Sequence, residues 1–230
     1  MLTAHTRRGG GTVCAALTLL LLLSSCRTTE PLSTPPAGPL RFSLVFVIHG
    51  DASYLFHDTG SSPHQADRLA LERARAVARA NPAAEVFVFH QHADGLFRKE
   101  NGTLEVYRNA VLALRRDYRR TAGDLETEKT LFQQTTAARG SDVRRFFLYF
   151  GHQIPESPEP GYHASLPDAL FSIPQLAEDL KGFRPEADRL DLVVLSTCNN
   201  GTPSAVTALA SEARYLVASP ADLHLSHLAT

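Results

Sequence analysis

The sequence predicts an α/β fold built on a mostly parallel central sheet, and three observations carry that prediction. Four short runs, Phe42–Ile48, Glu85–Phe89, Arg145–Phe150 and Leu190–Leu195, are rich in β-branched and aromatic residues and apolar almost throughout. That is the pattern of strands buried on both faces rather than on one. Helical patterns separate the runs, so the chain reads strand, helix, strand, the unit that makes neighbouring strands parallel. At 230 residues, with 43% hydrophobic side chains, the chain is long enough for one domain with a sizeable core.

The elements follow in order. Ser62-Pro63 can open a helix that runs to Ala80, with Leu69, Val77 and several alanines on one face and Asn81-Pro82 as its stop. Two alternating runs within Gly95–Tyr107 flank Asn101-Gly102, the strongest short hairpin signal, and predict a hairpin projecting from the main sheet. Asp124 is placed to cap a helix extending to Ala138. Ile154–Pro167 is a Pro- and Glu-rich loop. Ser172-Ile-Pro174 opens a short helix to Lys181, and Thr202-Pro203 opens another to about Ala213. Tyr215–Ala218 is a fifth strand.

Ahead of this domain the chain carries an address. Arg7 and Arg8 precede an apolar stretch, Val13–Leu23, too short to span a membrane comfortably and fitted to a signal peptide. It ends Leu23-Ser-Ser-Cys26, which resembles the bacterial lipobox, in which the cysteine is lipidated and becomes the mature N-terminus. Arg27–Leu40 is rich in Pro, Ser and Thr and reads as a tether. The expected organisation is a lipoprotein signal peptide over 1–25, lipidated Cys26 and tether over 26–40, and an α/β domain over 41–230. The expected location is the bacterial cell envelope, anchored by lipid. Arg27 after the cysteine favours the outer membrane.

Composition narrows the partners. A formal net charge of -1 lacks the electrostatic footprint of a nucleic-acid binder, so no nucleic acid is expected. Three cysteines do not make a disulfide framework. Cys14 leaves with the signal peptide and Cys26 takes lipid, so Cys198 is the single thiol left in the mature chain.

In open α/β sheets ligands bind beyond the carboxyl ends of the strands. His49-Gly50-Asp51, His90-Gln91-His92, Gly151-His152, Cys198 and Asp222 fall there. His152 and Cys198 follow consecutive core strands, and a histidine and a cysteine at neighbouring strand ends form a nucleophile with its general base. Amides aimed from the following helix start favour a thiolate at Cys198.

The stretch Asp191-Leu-Val-Val-Leu-Ser-Thr-Cys198-Asn-Asn-Gly, then a helix, then Tyr215-Leu-Val-Ala-Ser219, resembles the clostripain-like cysteine peptidases. Leu148-Tyr-Phe-Gly-His152 stands where that family carries its catalytic histidine at the end of the previous core strand. The resemblance spans roughly Phe42 to Leu225, and its specific part is short. It implies a caspase-like three-layer sandwich and a Cys198/His152 dyad. It also implies a peptide or protein substrate and chemistry that needs no cofactor. Gly151 and Gln153 would support the oxyanion, although the family has Gly where Gln153 stands. Ser196 occupies the position of the aspartate that helps bind a basic substrate side chain, so a preference for Arg or Lys does not carry over. Asp51 or Asp222 could substitute in substrate binding.

Three other readings compete. His90-Gln-His92-Ala-Asp94 resembles the opening of a zinc hydrolase site, but Gly95 follows instead of His, and the fold's opening differs. Val47-Ile-His49-Gly50 looks like a serine-hydrolase oxyanion loop, but no G-x-S-x-G elbow occurs. The third is a lipoprotein that uses the caspase-like fold for binding alone.

Overall fold

A computed structural model describes residues 38–57, 63–93, 99–185 and 189–223. The signal peptide, Cys26 and most of the tether lie outside these residues. Parallel strands β1 (Phe42–Gly50), β4 (Ala84–His92), β7 (Arg144–Phe150), β8 (Leu190–Ser196) and β9 (Ala213–Ala218) share one sheet with β5 (Gly102–Arg108) and β6 (Val111–Tyr118). The order is β6-β5-β4-β1-β7-β8-β9, with antiparallel pairing confined to β4-β5 and β5-β6. Two-residue strands β2 (Leu55–Phe56) and β3 (His64–Gln65) pair separately.

Helices lie on both sides of the sheet. On one face Val45, Val47, Phe87, Phe89, Phe147, Tyr149, Val193 and Leu195 pack against residues of α2 (Glu126–Thr135), α3 (Ile173–Leu180), α4 (Pro203–Leu209) and the 3-10 turn Lys181–Phe183. On the other face, Ile48, Val86, Val88 and Phe150 meet the alanines of α1 (Ala66–Ala80). Ser172 and Thr202 cap α3 and α4 as expected, their side chains accepting the Gln175 and Ala205 amides, with Pro in each first turn.

Burial on both faces holds over Ala84–Phe89 of β4 but not along β1, β7 and β8. Leu44, Phe46, Phe146, Leu148, Leu192 and Val194 are half-buried on the α1 side, and on β9 Tyr215 and Val217 are 72% and 56% exposed. Among the described residues α1 is the one helix on this face, and it leaves an apolar groove along β1, β7 and β8.

The hairpin differs from expectation. Its turn is Asn109-Ala110, both at positive φ (53° and 63°), the conformation that suits the twist of a two-residue hairpin. Its strands are β5 and β6, and both extend the sheet at one edge. Residues 95–98 lie outside the described chain. Asn101-Gly102 has another role. The Asn101 amide brackets the main chain of Arg120, accepting its N–H at 2.7 Å and donating to its carbonyl at 3.2 Å. A Cβ on Gly102 would sit 2.3 Å from the Tyr118 ring.

The helices start later or stop earlier than the sequence suggests. α1 begins at Ala66 because His64–Gln65 is drawn into pairing with β2. α2 spans only Glu126–Thr135, where buried Glu85 ends it by accepting the Thr136 hydroxyl and the Ala137 and Ala138 amides. Asp124 still accepts the Glu126 amide, at 3.2 Å, from just outside the helix.

Candidate functional site

β7 and β8 are parallel neighbours, with Phe150 opposite Ser196. The Gly151 amide carries the pairing one step further, donating to the Ser196 carbonyl at 3.3 Å. His152 and Cys198 each follow two residues beyond the last paired positions, at the carboxyl ends of adjacent strands. No hydrogen bond joins the two side chains among the described residues.

His152 is held at four points. Its amide donates to the Tyr54 hydroxyl at 2.8 Å, and its carbonyl accepts from the Tyr162 hydroxyl at 3.1 Å. Its ring stacks on Tyr54, centroids 4.1 Å apart and planes 16° from parallel. Its Nε2 lies 3.0 Å from the Ser53 carbonyl. A carbonyl only accepts, so Nε2 carries a proton, and in the neutral ring the lone pair is on Nδ1. Cys198 is half-buried. The Leu223 main chain engages its sulfur, with the amide nitrogen at 3.3 Å and the carbonyl oxygen at 3.5 Å.

The remaining expected residues divide. Gln153 and Asp222 flank the cysteine loop, where Asn199, at φ 50°, donates to the Gln153 side chain at 3.2 Å and to the Asp222 carboxylate at 2.7 Å. Gly151 was expected to support the oxyanion, and here its amide donates to the Ser196 carbonyl. It is glycine for another reason, as a Cβ there would lie 2.8 Å from the Tyr162 hydroxyl. Ser196 is buried at the strand end. Asp51 was expected as a substrate-binding carboxylate. It is fully buried, paired with buried Arg120 at 2.9 Å and capped by Ser165.

Asp51 belongs instead to a polar node beneath the site that sequence reasoning missed. Arg120 bonds Asp51 through Nη2 and His163 through Nη1, both at 2.9 Å. His49, Asp51 and His163 bring one ligand atom each within 4.8 Å of one another, a set that could hold a metal ion. Here the Arg120 guanidinium occupies the Asp51 oxygen and the His163 nitrogen such an ion would need. The zinc-like pair lies elsewhere, with His90 Nε2 3.0 Å from Asp67 and His92 lining the same cavity near α1, while Asp94 lies outside the described residues. His163 comes from the loop after β7 and Arg120 from the end of β6, and no local motif connects either to His49.

Burial, then the neighbouring His163 and Arg120, hold His49 well below the ordinary histidine range. Burial, then Arg120, pushes His163 down to about 3.

No protein-family model and no curated sequence matches the chain. Solved structures do. A secreted C11 cysteine protease from Bacteroides thetaiotaomicron, in complex with an irreversible peptide inhibitor, aligns over 80% of this chain at 18% identity with a TM-score of 0.54. A second structure of a secreted C11 protease from that organism, "iotapain", aligns over 82% at 12% identity with a TM-score of 0.56. An inactive zymogen C11 protease from Parabacteroides distasonis aligns over 83% at 13% identity with a TM-score of 0.53. The chain spans about half the length of these proteins, covering 49%, 54% and 51% of them.

The buried histidines set a pH dependence. In the unfolded chain each ring takes up a proton near pH 6.5, whereas the folded protein resists until far lower. Between about pH 6.5 and 3 the unfolded state therefore binds more protons, and stability falls as pH drops through that window. Urea unfolding across this range is expected to show that fall, with a shallower slope in His163→Gln. Equal slopes in the two proteins would contradict the assignment. The seven-stranded, mostly parallel sheet with helices on both faces is the caspase-like fold of the C11, clostripain-like cysteine proteases.

Proposed function

We propose that the chain is the cysteine endopeptidase domain of a lipid-anchored envelope protein, with Cys198 as nucleophile and His152 as its general base and acid. The observation that carries the reading is the delivery of His152 and Cys198 to adjacent strand ends by one register, on a fold shared with C11 proteases. The ring tautomer supports it. With Nε2–H held by Ser53, the Nδ1 lone pair is the atom free to take the thiol proton.

In the reaction the Cys198 thiol gives its proton to His152 and its sulfur attacks the scissile carbonyl. The tetrahedral oxyanion takes hydrogen bonds from the main-chain amides of Cys198 and Gln153 themselves, a contribution of roughly 3–4 kcal/mol per donor. His152 returns the proton to the leaving amine as the C–N bond breaks. Water, deprotonated by His152, then releases the acyl group and restores the thiol. The Leu223 main chain must leave the sulfur before a substrate carbonyl can approach it. The chemistry calls on no metal, because sulfur is itself the nucleophile. Asp222, exposed and bonded to Asn199 of the cysteine loop, is our candidate for the carboxylate that meets a substrate side chain. The lipobox at Cys26 and the tether after it support attachment to the membrane.

A mixed peptide library suits the unknown specificity. Cys198→Ala and His152→Ala are each expected to cut hydrolysis by more than about 100-fold, and the double variant to lose no more than either alone. Activity that survives Cys198→Ala but disappears with a chelator would overturn the dyad. For the anchor, Cys26→Ala is expected to shift the protein from the membrane fraction to the soluble one or leave it unprocessed. Equal fatty-acid labelling of variant and wild type would refute lipidation there.

A further inference from the structure

His152 lies beyond the last residue of β7, where no ladder of backbone bonds fixes it. Something else must hold both its main chain and its ring. Tyr54, brought from the loop after β1, touches both. It is fully buried, so ordinary core packing would explain the ring but not the hydroxyl. That hydroxyl lies between the His152 amide, at 2.8 Å, and His49 Nδ1, at 2.6 Å.

A hydroxyl has one proton, and the histidines beneath decide where it goes. The Gly123 carbonyl lies 2.9 Å from His163 Nε2 and can only accept, so Nε2 carries the proton of His163. His163 Nδ1 is then an acceptor, shared by Arg120 and by His49 Nε2 at 3.0 Å. His49 therefore donates through Nε2 and accepts through Nδ1. The Tyr54 proton must point to His49, and its lone pair is left facing the His152 amide. Every bond in the chain runs in one direction. Tyr162, stacked on His49 with centroids 4.7 Å apart, closes the clamp from the other side by donating to the His152 carbonyl.

We propose that Tyr54 is the positioning residue of His152: its ring sets the plane of the imidazole, its hydroxyl holds the amide, and the buried His49–His163 pair fixes the sense of that hydroxyl. This rests on the peptidase reading. Tyr54 touches no reacting atom and acts only through His152.

Tyr54→Phe keeps the ring and removes the hydroxyl, whereas Tyr54→Leu removes both. The expected result is a kcat about 10-fold lower for Tyr54→Phe and about 100-fold lower for Tyr54→Leu, with KM within about twofold of wild type. Nitrogen-15 spectra of the histidine rings in the intact wild type are expected to show His49 and His152 each as a single Nε2–H tautomer. In Tyr54→Leu the His152 ring is expected to average between tautomers. An active wild type with unchanged kcat in folded Tyr54→Phe would overturn the positioning role and leave the peptidase reading standing. An inactive wild type would overturn the peptidase reading instead. If Tyr54→Phe does not fold, the wild-type spectra decide, and an averaged or Nδ1–H His152 overturns the proposal.

Discussion

Two parallel strands in step bring their carboxyl ends to the same level, and the candidate site depends on that alignment between β7 and β8. Phe150 opposite Ser196 leaves His152 and Cys198 equally far beyond the ladder. A slip of one residue would turn every side chain of one strand to the opposite face. Such a slip is resisted because Phe147 and Tyr149 on β7, and Val193 and Leu195 on β8, are buried against the α3 and α4 layer. Burying side chains of this size is worth roughly 1.5–3 kcal/mol each, so packing enforces the register and the register places the chemistry.

Beneath that edge the fold keeps charge where apolar packing would be simpler. Asp51 and Arg120 are both fully withdrawn from water, a costly arrangement unless their polar atoms are bonded. Most of those atoms are. Asp51 takes Arg120, the Ser165 hydroxyl and the Ser165 amide, while His163 takes Arg120, His49 and the Gly123 carbonyl. Arg120 Nε has no partner among the described residues. The node ties together the end of β1, the end of β6 and the loop after β7. Those same segments supply Tyr54 and Tyr162, which grip His152. The two neutral histidines buried in this node make the fold sensitive to acid.

What could be read from the sequence follows the range of the interactions involved. Core strands and the Ser172 and Thr202 caps announce themselves locally, through composition and through a side chain meeting an amide three residues on. The placement of His152 and Cys198 just past adjacent strand ends was legible because a positional rule for parallel sheets applies there. β6 was not, since Val111–Tyr118 is a largely exposed edge strand with no alternation to reveal it. Asn101-Gly102 was misleading. Its residues are those of a tight turn, but they serve the Arg120 main chain and the Tyr118 ring. The bonding of Asp51 was not legible, because its partners lie 69 and 114 positions away. Tyr54, His163 and Arg120 have no local signature, and only the folded chain assembles them.

The proposal that Cys198 is a nucleophile served by His152 is tested most directly by mapping where a peptide-based irreversible electrophile attaches to the intact protein. Digestion and mass spectrometry at neutral pH should find the adduct on Cys198 in the wild type. In His152→Ala, with its fold intact, labelling should fall to the level of a small non-peptide alkylating agent. A wild type that remains unlabelled at Cys198, or one labelled equally well without the imidazole, would contradict the account.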